Sequence, residues 1–164
     1  EAPVEAPQAP PPAPAAPATA PEPAAAPAAP AVAMTALEQA MFDDINALRV
    51  QNGLPALAPD PALLSLARER SADMAARNYF SHTTPEGLTV FDLMEQRGVA
   101  YGWAGENLAR NNYPEAETEQ VAFDSLVASP PHFQNMLGAH YMRMGVGVAV
   151  DGDGMFYFTM LFIG

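Results

Sequence analysis

The three histidines of this 164-residue chain, His82, His132 and His140, have the widest chemical range, because imidazole can ligate a metal, carry a proton or hold a hydrogen bond near neutral pH. Their spacing makes no motif. No two stand four apart around a glutamate, as a helical zinc-peptidase site requires, so spacing alone reads them as hydrogen-bonded or surface residues, a shared metal being the exception. Nucleophiles are sparse. Cysteine is absent, and although Ser81 and Ser129 stand near histidines in sequence, adjacency does not make the serine, histidine and acid geometry of a hydrolase. Asp151, Gly152, Asp153 and Gly154 resemble the start of a calcium loop but lack its further acids and closing glutamate, and read as a hairpin turn. Tyr101 and Trp103 could stack on a ligand, with core packing as the default.

The elements that must position these residues are legible from periodicity. Thr35 and Glu38 stand in capping-box spacing, and Met34, Leu37, Met41, Ile45 and Leu48 then recur at three and four, predicting an amphipathic helix that ends near Asn52 and Gly53. Asp60 followed by Pro61 opens a second helix with Leu63, Leu66, Ala67, Met74 and Ala75 as its buried stripe. A polar turn from Ser81 to Gly87 leads to a short helix, Val90 to Arg97, stopped by Gly98 in the left-handed region. Val99 to Arg110 reads as strand or irregular. A fourth helix starts at Pro114 with Glu115, Glu117 and Glu119 in its first turns, where the helix dipole favours carboxylates. Ser129, Pro130 and Pro131 break it before a short helix from His132 to Leu137. Val146, Val148 and Val150 alternate with Gly145, Gly147 and Ala149, and Met155 to Ile163 is apolar on both faces, which predicts a hairpin whose second arm is a central strand. Helices first and a sheet last point to an α/β/α sandwich.

Residues 1–33 hold 11 of the 18 prolines, are otherwise mostly alanine, and cannot form a core; they read as a disordered Ala/Pro-rich linker able to extend to roughly 100 Å. Residues 34–164 suffice for one domain. That domain carries 7 arginines, no lysine and 16 acids, a balance that argues against nucleic acid and anionic lipid and would steer a cationic ligand or partner towards it. No stretch is apolar enough to span a membrane. A start at Glu1 fits a mature chain whose signal peptide has been removed, or a fragment.

Three stretches in order resemble one family: Asn78 to Gly87 around His82; Gly105, Glu106, Asn107, Leu108 and Ala109; and Ser129 to Leu137 around His132. With Asn46, Arg49, Gly53, Leu54, Leu57, the Asp60 helix and the closing Gly145, Val146, Gly147 strand, the whole domain resembles bacterial CAP (SCP-like) domains. The resemblance implies a three-layer α/β/α sandwich with a mainly antiparallel central sheet, a secreted or periplasmic location, and an open cleft where His82, Glu106 and His132 converge. Eukaryotic members place two histidines and two glutamates there and can hold zinc or another divalent cation. Here the second glutamate looks replaced by Ser129 and the second histidine by His132 on the short helix, so that His82, His132 and Glu106 would leave an open coordination position. Further departures are Leu126, Pro131 and Phe133 where the family has tryptophan, glycine and arginine. The candidate cleft residues are His82, Glu106, His132, Ser129, Asn107 and Trp103, with Asn107 and Asn135 expected chiefly to bond loop backbone and His140 expected at the surface.

Three functions follow as expectations. The first is a non-enzymatic binding module for a small amphipathic molecule, a lipid or a cell-envelope component. The second is a peptidase or esterase in which Glu106 or a histidine activates water, with or without Zn2+. The third is an envelope or surface-assembly protein using the linker as a tether and the acidic domain for contact with an envelope protein.

Overall fold

The computed structural model describes residues 33–164; the expected Ala/Pro-rich linker lies outside the described residues except for Ala33. In chain order the elements are α1 (Ala36–Gln51), β1 (Ala58–Pro59), α2 (Pro61–Arg77), α3 (Val90–Gln96), β2 (Ala104–Asn111), α4 (Glu115–Ala128), α5 (Pro130–Met136), β3 (Arg143–Val150) and β4 (Phe156–Ile163). The helix starts follow their capping residues. Thr35 and Glu38 exchange side-chain and backbone bonds in a capping box, and Asp60 accepts from the amides of Ala62 and Leu63 at the head of α2.

The sheet runs in the order β1-β3-β4-β2, antiparallel except for the short parallel pair β1 and β3. Along β4 successive side chains point to opposite faces. Phe158, Met160 and Phe162 enter a core with Met41, Phe42 and Ile45 of α1, Ala122 and Leu126 of α4 and Met136 of α5. Leu161 and Ile163 enter a second core with Leu63, Leu66 and Ala67 of α2 and Val90, Phe91 and Met94 of α3. The result is the expected three-layer α/β/α sandwich with β4 buried at its centre.

The alternation read in β3 has a steric reason. Met144 and Val146 pack under α1, while Gly145 and Gly147 face α2 so closely that a Cβ at either would overlap helix backbone, at Leu63 and Leu64 or at Ala67 and Arg68. Ser71 seals this contact, its hydroxyl bonding Gly147 O and Thr159 Oγ1, each at 2.9 Å.

Local departures have physical causes. β1 has two residues, one a proline, too short for a periodic signal. Val99–Arg110 divides into an irregular approach and the eight-residue strand β2. The short helix begins at Pro130 rather than His132, because its first positions need no intrahelical amide donor and so accept the prolines that end α4.

Candidate functional site

Asn78, in the left-handed region at φ 51, ends α2 and turns the chain back along it, so that residues 79–82 pass over the helix towards β2. Arg70 fixes this loop from below. Buried to 2% exposure, it donates from Nη2 to Ser81 O at 2.7 Å, from Nη1 to the Tyr79 hydroxyl at 2.8 Å, and from Nε to Glu106 Oε1 at 3.5 Å. The Tyr79 hydroxyl in turn donates to Asp73 Oδ2, and burial with that carboxylate pushes its pKa up to about 12. His82 is held between this loop and β2, with Nδ1 2.6 Å from Glu106 Oε2. Glu106 is thus engaged on both oxygens, one by arginine and one by imidazole.

β2 is an edge strand, and its alternation sends Glu106 to the α2 face and Asn107 to the α5 face. Asn107 Nδ2 donates to His132 O at 3.1 Å, Asn135 Nδ2 donates to Asn107 Oδ1 at 2.8 Å and to Glu106 O at 3.3 Å, and the Tyr141 hydroxyl donates to Asn135 Oδ1. Asn107 therefore bonds helix backbone and Asn135 strand backbone, where loop backbone was expected. Gly105 makes room for this lattice, since a Cβ there would strike the Tyr141 hydroxyl and the Asn135 amide. Ser129 stands at the N-cap of α5 without capping a backbone amide; its Oγ lies 2.6 Å from Nδ1 of His132, three residues on.

Two histidine pairs result, His82 with Glu106 and His132 with Ser129, linked through consecutive residues of β2. The resemblance implied an open cleft; the structure encloses its members, with His82 and Glu106 each 2% exposed and His132 1%. Trp103 sits apart from both pairs and is not core. It is 53% exposed and stacks on the ring of the surface residue His140 at 4.3 Å, while Tyr101 packs against the core under α2 and α3. Asp151 holds the hairpin turn by accepting from the amides of Asp153 and Met155.

Arg70 is the site residue that the sequence reading missed. Its signal was there. It falls on the period of the stripe Leu63, Leu66, Ala67 and Met74, and a charge in an apolar stripe marks a buried ion pair.

An α/β/α sandwich with imidazoles brought from two segments onto one edge strand is the class of domain found here. The chain belongs to that class as a member of the CAP, cysteine-rich secretory protein family, whose model matches residues 42–162. It is 34% identical over 132 residues to the uncharacterized protein YkwD of Bacillus subtilis, a match covering 80% of this chain and 49% of that protein. The crystal structure of an extracellular protein containing a SCP domain from Bacillus anthracis superposes with a TM-score of 0.68 at 31% identity, covering 77% of this chain and 40% of that one. This chain thus spans half or less of those relatives. NaASP2, whose structure was determined with Zn2+, shares the fold at 14% identity and a TM-score of 0.55, covering 79% of this chain and 80% of that one. The relatives include proteins named as extracellular and secretory, and a secreted or periplasmic location follows for this domain. Among the described residues no helix is long and apolar enough to cross a membrane.

Proposed function

We propose that this domain is an extracellular binding module, not a hydrolase, and that the two histidine pairs on β2 form the polar centre of its ligand site. The arrangement of the pairs carries this reading. A serine hydrolase needs hydroxyl and carboxylate on the two nitrogens of one imidazole, so that the ring can take a proton while the acid steadies it. Here the carboxylate of Glu106 lies against Nδ1 of His82 and the hydroxyl of Ser129 against Nδ1 of a different ring, His132. The elements of a triad are divided between two histidines, and each is spent on orientation.

A divalent metal is the finer question. His82, Glu106 and His132 do not fit a three-ligand site as they stand. The Glu106 carboxylate is shared between Arg70 and His82, a guanidinium in that position competes with any cation, and the described residues contain no group of three His, Asp or Glu placed around one metal position. We therefore derive no step through Zn2+. The ligand class that suits an enclosed imidazole centre set among aromatic and aliphatic cores is a small amphipathic molecule or envelope component, with polar atoms for the histidines and an apolar remainder.

The test is a 15N-histidine NMR titration of the full chain with lysophosphatidylcholine below its micelle concentration, alongside a Zn2+ titration. Shifts of the His82 and His132 rings with the lipid, lost in His82→Ala, support the reading. Micromolar Zn2+ binding abolished by His82→Ala and by His132→Ala, or steady ester hydrolysis abolished by Glu106→Ala, would replace it by the metal or hydrolase reading.

A further inference from the structure

An open cavity of about 340 Å3 lies between α2 and the segment that runs from Thr84 to Arg97, and none of His82, Glu106 and His132 lines it. One wall is a stripe of α2, Leu66, Glu69, Arg70, Asp73 and Arg77, which recur at three and four residues and so share a face. The other wall is Thr84, Glu86 and Leu88 of the loop, with Leu93 of α3 and Arg97 at its C-cap. The loop wall is preformed. The Thr84 amide donates to Leu88 O at 2.8 Å, and the Leu88 amide donates to Thr84 Oγ1 at 3.2 Å.

Three of the seven arginines of this acidic domain meet in the one cavity. Two of them clasp it with bidentate pairs of opposite polarity. Arg77 of α2 donates to Glu86 of the loop, from Nη2 to Oε1 at 2.5 Å and from Nη1 to Oε2 at 3.0 Å, while Arg97 donates back to Glu69 of α2 from both Nη1 and Nη2. The clasps stand eight residues apart on the helix, roughly 12 Å along its axis. Asp73 adds a second carboxylate at the Arg77 clasp, 3.4 Å from Nη1, so acid exceeds base there. Arg70 stands between the clasps. Its bonds to Glu106, Tyr79 and Ser81 engage three of its five N–H donors and leave two. Leu66, Leu88 and Leu93 supply the apolar part of the lining.

We infer that this cavity binds a short zwitterionic peptide with aliphatic side chains. The ligand ammonium meets Asp73 and Glu86, the ligand carboxylate meets Arg97 and the remaining Arg70 donors, and the side chains lie on the leucines. Arg97 gives Glu69 two of its five donors, so a ligand carboxylate joins that pair and need not break it. A lone cation or anion answers one clasp only, whereas a tripeptide, extended to roughly 10 Å, reaches both. The volume falls in the range of small-molecule sites, about 300–1,000 Å3.

The experiment is calorimetric titration of the full chain with leucyl-alanyl-leucine at pH 7.5 and low salt, beside its N-acetyl and C-terminal amide forms. Glu86→Gln should weaken the free tripeptide about tenfold and leave the N-acetyl form, which has no ammonium, within twofold. Arg97→Gln should weaken the free tripeptide about tenfold and leave the amide form, which has no carboxylate, within twofold. Arg143→Gln breaks an ion pair outside the cavity and should change every form less than twofold. No binding at millimolar tripeptide overturns the site, as does an equal loss for all three peptide forms in Glu86→Gln or Arg97→Gln, or a tenfold loss in Arg143→Gln. Glu86 and Arg97 are exposed and bond none of His82, Glu106 and His132, so failure here leaves the ligand site on β2 standing, and failure there leaves this one.

Discussion

Arg70 and Arg49 are both buried, and each is held in a different way. Arg70 has a carboxylate partner, and its fork also fixes the loop that delivers His82. Arg49 has only carbonyls, two of them at the C-terminal end of α5, where the helix dipole and the unsatisfied oxygens favour a cation. Burial pulls the Arg49 pKa down from its ordinary value. Removing one member of a buried ion pair leaves the other uncompensated, so Arg70→Met should cost about 3–5 kcal/mol, read by urea unfolding. The double variant Arg70→Met, Glu106→Gln should recover part of that loss. Full additivity would show that the two side chains do not share one network. At this scale the sequence named His82, Glu106, His132 and Ser129 through motif resemblance. It could not tell which nitrogen meets which partner, because a ring's hydrogen bond depends on how neighbouring segments pack.

Between elements, close approach decides more than side-chain volume. α2 lies against β3 through Gly145 and Gly147, with no room for a methyl group at either position. Gly147→Ala should therefore destabilise the domain by about 2–4 kcal/mol despite alanine's better local propensity, because helix backbone cannot yield as a flexible side chain can. The check is a melt compared with Gly152→Ala in the open hairpin turn, where nothing lies within 4 Å and the change should be small. At the α1–α4 contact the deciding quantity is charge. With Glu119 raised by burial, and by Asp44 and Asp124, from its ordinary carboxylate range to about 7, the folded state binds a proton that the unfolded state releases. The contribution of this one carboxyl to stability is therefore fully present below about pH 4.5 and is lost as pH rises through 7. Glu119→Gln should raise stability by about 2 kcal/mol at pH 8 and leave it nearly unchanged at pH 4.5; equal melting temperatures at both pH values would mean the carboxyl is not buried in solution. Periodicity and caps made the five helices and the hairpin legible in advance, since each carries its signal within one segment. The β1–β3 pairing and the edge position of β2 were not legible, since they join segments far apart in sequence.

At the scale of the whole molecule, the domain balances its apolar clusters on the two faces of the sheet against a surplus of negative charge. With 7 arginines and no lysine, most carboxylates have no cation to meet, and apart from the buried Arg70–Glu106 pair those that do, such as Glu86 with Arg77 and Asp60 with Arg143, pair at the surface or partly so. Exposed pairs contribute little, so the net electrostatic term at neutral pH is self-repulsion. Salt weakens repulsion over distances beyond roughly 10 Å, while the cores are held by apolar burial that moderate salt does not weaken. Raising NaCl from 20 to about 500 mM at pH 7.5 should therefore raise the melting temperature by several degrees. Glu119→Gln, which relieves part of the same repulsion, should make the increase smaller. A melting temperature that falls with salt would mean that attractive pairs outweigh the acidic surplus, and that the charge available to draw in a basic partner is already neutralised within the fold.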